Sequence, residues 1–248
     1  MMLGNRNFSG EYFAEIGRLL DTVISSESHA VNEASASVAK CFANHGLLFI
    51  FGSGHSHMFA EEAFFRAGGA TRICPIFKPP FMLHEGALKS TTLEREAGHA
   101  EEILSGYTID PQKDVLLVVS NSGKNAVPVE VAQTAQQRGI HTLAITSRQY
   151  SAQAEDGVVT LADVADIVID NHCPAGDALM HIAEGVPAIG PGSTVVGLTI
   201  LNAVLVQAMG LVSESGIAPD IFRSAGMDGA IEHNQKLVKQ IEQRVPHL

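Results

Sequence analysis

Two short stretches hold residues suited to gripping a small anion. FGSGHS (residues 51–56) follows the apolar run GLLFI, and SNSGKN (residues 120–125) follows DVLLVV. In the first, Gly52 and Gly54 let the backbone turn tightly, and Ser56 falls near the start of a helix. In the second, Ser120 and Ser122 supply hydroxyls, Gly123 permits close approach, Lys124 adds a charge, and Asn125 stands where the next helix begins. Hydroxyls and free amides at a helix N-terminus suit phosphate or another small anion. One such turn could as easily be a simple helix cap. Two of them, both at strand ends of one sheet, favour phosphate. The common nucleotide signatures do not fit: the chain has no G-x-x-x-x-G-K-[ST], and GSGHSH lacks the third glycine of the dinucleotide motif.

The elements that must position these turns follow from periodicity. Apolar residues at helical spacing predict helix from about Gly10 to His45, in two stretches. Buried strands are expected at 46–54, 71–76, 114–120, 141–147 and 165–170, with helices over 56–67 and 127–138 between them. TTLEREAGHAEEILSGY (residues 91–107) reads as one helix, while residues 77–90, with Pro79 and Pro80, read as irregular. An apolar helix is expected over 193–209 and an amphipathic one over 229–244. Continuous apolar strands alternating with helices mean a parallel sheet with helices on both faces, an α/β three-layer sandwich. Residues 1–45 are expected as a helical extension on a single unit spanning 46–248.

Composition narrows the function. The net charge of −11 argues against a nucleic-acid or membrane-surface binder, which needs a basic face. Cys41, Cys74 and Cys173 show no paired spacing, so neither a disulfide framework nor a zinc knuckle is expected, and a reducing cytoplasm is. The N-terminal stretch lacks a signal-peptide core. The longest apolar run, Val195 to Val212, is interrupted by Asn202 and Gln207, so no bilayer span is expected. Apolar residues at 46 % against 17 % charged hint at an oligomer that hides surface between subunits.

Gly52-Ser53-Gly54-His55-Ser56, followed downstream by Ser120-Asn121-Ser122-Gly123, resembles the SIS (sugar isomerase) domain family. The resemblance spans about 46–170 and continues into GPGSTVVGLTILNAV (residues 190–204). It implies a five-stranded parallel sheet of flavodoxin type, a homodimer or homotetramer, and a phosphosugar site near the subunit interface. Gly54, Ser56, Ser120, Ser122 and Gly123 would hold the phosphate; Asn125 replaces the usual final hydroxyl residue of the loop. Family members isomerise sugar phosphates, cleave sugar ethers, amidate sugar phosphates or only sense them.

Isomerisation through an enediol needs a base and a group that serves the oxygens. In phosphoheptose isomerases the base is a glutamate on the first helix, but the matching offset falls on Arg66 here. Glu62 lies one turn earlier and is either that base or half of a surface pair with Arg66. In the etherase branch a glutamate lies before the third strand. Glu94 and Glu96 fall there, unless they belong to a solvated acidic helix. His84, in the irregular loop, and His181, near the place of a catalytic histidine in phosphoheptose isomerases, complete the candidates. Ser193 and Thr194 either cap a core helix or face sugar hydroxyls. No histidine trio has convincing metal spacing, and neither metal nor cofactor is expected. A phosphosugar isomerase is the leading reading, with an eliminating enzyme or a non-catalytic sensor as alternatives.

Overall fold

The computed structural model describes residues 6–248. Five strands form one parallel sheet in the order β2-β1-β3-β4-β5: β1 Leu48–Gly52, β2 Ile73–Pro75, β3 Val115–Val119, β4 His141–Thr146 and β5 Ile167–Asp170. Alternate side chains sort the strands between two cores. Leu48, Ile50, Val115, Leu117, Val119, Leu143 and Ile145 enter one core; Phe49, Phe51, Leu116, Val118 and Ala144 enter the other. Both faces are buried, so these strands read as unbroken apolar runs rather than alternating ones.

Helices α1 (Phe8–Ser26), α2 (Ser28–Ala43), α3 (Met58–Ala63) and α9 (Ser193–Glu214) cover the first face. Ile16, Leu19, Val38 and Phe42 of the N-terminal helices share its core with the strands, and α2 packs along α9. On the second face lie α5 (Ala100–Ser105), α6 (Ala126–Gln137), α8 (Leu161–Val164) and the C-terminal Ile241 and Val245. Three short helices complete the chain: α4 (Ala87–Leu93), α7 (Arg148–Ser151) and α10 (Ala230–Val238). By length and composition α9, which contains the run 195–212, is long and apolar enough to cross a bilayer despite Asn202 and Gln207. Here its Val196, Ile200, Leu201 and Val204 are buried in the first core.

The two N-terminal helical stretches meet at Glu27, and one other expected helix is broken. The N-terminal helix stops at Glu27, whose carboxylate accepts from the Asp170 amide and meets the His172 ring. The stretch 91–107 is helical only in α4 and α5. Between them Gly98 takes φ +94, and its amide donates to the Glu130 carboxylate at 2.7 Å.

The chain leaves β1 toward β2 on one side and returns to β3 on the other, so direction reverses between β1 and β3. Ligands of open parallel sheets settle beyond the strand ends at such a point. Gly52 and Val119, the last residues of those strands, are register partners.

Candidate functional site

The β1 turn folds back on itself. A Cβ on Gly52 would lie 2.4 Å from the Ser56 carbonyl oxygen, so only glycine fits. Gly54 takes φ +55 and opens a 3₁₀ turn, Gly54–His57, that runs into α3. The Ser53 hydroxyl, nearly buried, donates to Glu94 Oε2 at 2.9 Å.

The β3 turn is held just as tightly. Gly123, at φ +62, donates its amide to Ser120 Oγ at 3.2 Å, while its carbonyl accepts from the Leu161 amide at 2.7 Å. The Ser151 hydroxyl donates to the Ser122 carbonyl at 3.0 Å. Asn125 takes the N-cap position of α6 in extended backbone, with no capping bond from its side chain. Lys124 Nζ lies 5.0 Å from the centroid of the Tyr150 ring.

Glu94 links the β1 turn to the start of α6. Its carboxylate takes the Ser53 hydroxyl, and its backbone carbonyl accepts from the Val127 amide in the first turn of α6 at 3.1 Å. Its side chain is 15 % exposed, with Arg95 Nη1 3.4 Å away.

Beside these turns opens a cavity of about 340 Å³ lined by His55, Ser56, Asn121, Asn171, Asp177, Ser193 and Thr194, among others. Asn171, buried at the end of β5, donates to Asn121 Oδ1 at 2.9 Å and accepts from the Cys173 amide at 2.9 Å. Asp177 fills the N-terminus of α9: its carboxylate accepts the amides of Gly192 and Ser193 and the Ser193 hydroxyl, at 3.0, 2.8 and 2.5 Å. A carboxylate there is stabilised by the helix dipole. Burial first, then the charges of Asp177 and Asp170, pushes the Cys173 thiol up to about 12, so it carries no thiolate near neutral pH.

The candidate residues distribute unevenly over this geometry. Ser56, Ser193 and Thr194 line the cavity; Gly54, Ser120, Ser122, Gly123 and Asn125 build the turns beside it. Glu62 is ion-paired with Arg66 on α3. Glu96 is exposed, 3.9 Å from His99. His84 is exposed and sits edge-on to the His57 ring. His181 is exposed, and its backbone carbonyl accepts from Arg6. None of these four lines the cavity. Asn121, Asn171 and Asp177 do, and sequence reasoning passed over them as site residues. Asn121 lay within the recognised SNSG turn, but nothing near Asp177 signals a contact with Ser193, sixteen residues on.

Residues 11–147 match the SIS domain family. The chain belongs to that family. Among its relatives are UPF0309 proteins of Geobacillus kaustophilus, 43 % identical over 96 % of both chains, and of Listeria innocua, 41 % identical over 93 % of this chain and 94 % of that one. Phosphoheptose isomerases share the SIS architecture. One from Neisseria gonorrhoeae has TM-score 0.51 and 16 % identity, covering 83 % of this chain and 97 % of that one. One from Francisella tularensis has TM-score 0.53 and 13 % identity, covering 80 % and 95 %. The sugar isomerase domain of an RpiR transcription factor from Sphaerobacter thermophilus has TM-score 0.51 and 15 % identity, covering 96 % and 99 %. At these identities the likeness shows the fold, and an enzyme and a transcription factor share it, so chemistry has to be argued from the site.

Proposed function

We propose that this protein binds a phosphorylated sugar across the β1 and β3 turns and moves a proton between neighbouring carbons of it, interconverting aldose and ketose. The observation that carries the reading is Glu94, bonded through its side chain to the β1 turn and through its backbone to the start of α6, the helix that follows the β3 turn. The Ser53 hydroxyl, donated to Glu94 Oε2, holds that side chain at the β1 turn, where a general base would have to stand.

The phosphate would lie against Ser56, Ser120, Ser122, Gly123 and the start of α6, where amides and hydroxyls meet the positive end of the helix dipole. The amides and hydroxyls of Asn121, Asn171, Ser193 and Thr194 would receive the sugar hydroxyls. In the open-chain sugar, Glu94 takes the proton from C2 as the carbonyl at C1 becomes an enediol oxygen. It then returns the proton to C1, while a hydroxyl proton passes between O2 and O1, leaving the ketose. The resemblance suggested Glu62 for this task, but Arg66 holds that carboxylate. Glu94 is the better base.

A second reading rests on the same residue. Glu94 lies in the segment where sugar-phosphate etherases carry a glutamate. Removal of a proton beside a carbonyl there would expel the oxygen substituent on the next carbon and leave an alkene. Incubating the protein with hexose, heptose and amino-sugar phosphates in deuterated water separates the outcomes. Solvent deuterium in an isomerised sugar supports the leading reading, and an unsaturated product with a released alcohol supports elimination. Saturable binding with neither exchange nor product would make the protein a sensor.

A further inference from the structure

A second cluster gathers around His57, in the 3₁₀ turn that follows β1. His57 is buried, with its Nδ1 against the Gly54 carbonyl oxygen. A carbonyl oxygen only accepts, so Nδ1 carries a proton and donates it there. In the neutral ring this leaves a lone pair on Nε2. That nitrogen points at Glu61 Oε1, 3.2 Å away. An Nε2 lone pair and a carboxylate oxygen at this separation are two ligand atoms that one cation could share.

A third donor stands beside this pair. The His84 ring packs edge-on to His57, with centroids 5.7 Å apart. One ligand atom from each of His57, Glu61 and His84 lies within 4.8 Å of the others. With metal–nitrogen and metal–oxygen bonds of roughly 2.0–2.1 Å, the edge of a tetrahedral zinc site is about 3.3 Å. The His57–Glu61 separation already matches that edge, and His84, exposed on a short 3₁₀ turn (Leu83–Glu85), can swing in to complete a face.

We infer that His57, Glu61 and His84 form a binding site for a divalent transition-metal cation of the zinc type, with the fourth position open to solvent. Two imidazoles and one carboxylate are a donor set for such ions rather than for magnesium or calcium, which take oxygen. The Gly54 carbonyl is the outer partner that fixes the His57 tautomer, as metal-bound histidines require. Glu85, whose Oε1 lies 3.9 Å from His84 Nε2, adds negative charge beside the site. A bound ion would tie the loop before α4 to the β1 turn at His57, next to Ser56 and two residues from His55 in the cavity wall.

Sequence spacing alone does not reveal this trio. His57 and Glu61 are four apart on one helical face, but His84 arrives from a separate loop.

The test is zinc binding to the chelator-treated full chain, measured by competition with a chromophoric chelator, with cobalt(II) substitution read by its visible ligand-field bands. One ion per chain is expected. His84→Ala and Glu61→Gln should each weaken binding on the order of tenfold or more. Both side chains are substantially exposed, and matched thermal melts of the metal-free variants would show the fold intact. His29→Ala, which removes the exposed His29–Glu33 pair at 3.5 Å, should change nothing. Absence of saturable zinc binding would overturn the inference. So would an affinity that both site variants leave unchanged, or one that depends on His29.

Discussion

The Ser53 hydroxyl and the Glu94 carboxylate meet at 2.9 Å across 41 residues of sequence. That contact places an acid over the β1 turn, and the Glu94 carbonyl anchors the same segment to the start of α6. On the proposed reading the Glu94 side chain serves as the base.

In the same reading the β3 turn holds the phosphate. Ser122→Ala should weaken phosphorylated sugars by about 10- to 100-fold, the worth of a hydrogen bond to a charged group, while neutral sugars lose far less. Calorimetric titration of a matched pair, phosphorylated and not, checks this. Equal weakening of both would remove the phosphate from this turn.

Gly123 is a sharper structural test. A Cβ there would sit 2.5 Å from Ser151 Oγ and 2.6 Å from Thr146 Oγ1, at φ +62. Gly123→Ala should destabilise the fold by about 2–4 kcal/mol through strain and overpacking, read as a lower urea midpoint at unchanged slope.

Asp177 closes the positive end of α9. Asp177→Asn keeps the side chain's shape and its tolerance of φ +55, but removes the charge at the helix N-terminus. The expected loss is about 1 kcal/mol, measured by thermal unfolding at low and high salt, and smaller at high salt.

Burial pushes the thiols of Cys41, Cys74 and Cys173 up to about 12 from an ordinary 9.0. A raised folded value means the folded state favours the thiol. The stabilisation is therefore complete below the ordinary thiol value and is lost as pH rises toward 12. The native protein should resist a thiol reagent at pH 8 and react fully once unfolded, and stability should fall as pH rises above about 9.

How much of this was legible in the sequence depends on how far each contact reaches. The strands β1 and β3 and the turns after them stand out because both sheet faces are buried, which leaves unbroken apolar runs ending in glycine and serine. The break between α4 and α5 does not, because the Glu130 carboxylate that holds Gly98 comes from α6. Glu94 and Glu96 look alike in sequence, two apart in one acidic stretch. Only the fold turns Glu94 toward Ser53 and leaves Glu96 in solvent. Glu62 shows the reverse: the i,i+4 spacing with Arg66 was visible, and the structure forms that pair. The wall built by Asn171, Asp177 and Ser193 depends on chain segments brought together beyond β5, which no local pattern records.

The central claim is that Glu94 moves the proton. The direct measurement is deuterium incorporation at C1 and C2 of a bound sugar phosphate, followed by NMR for the unsubstituted protein, Glu94→Gln and Glu62→Gln. Exchange should fall by at least about 10²-fold in Glu94→Gln, the scale of a lost general base, and persist in Glu62→Gln. Exchange that survives in Glu94→Gln and vanishes in Glu62→Gln would contradict the account and return the base to α3.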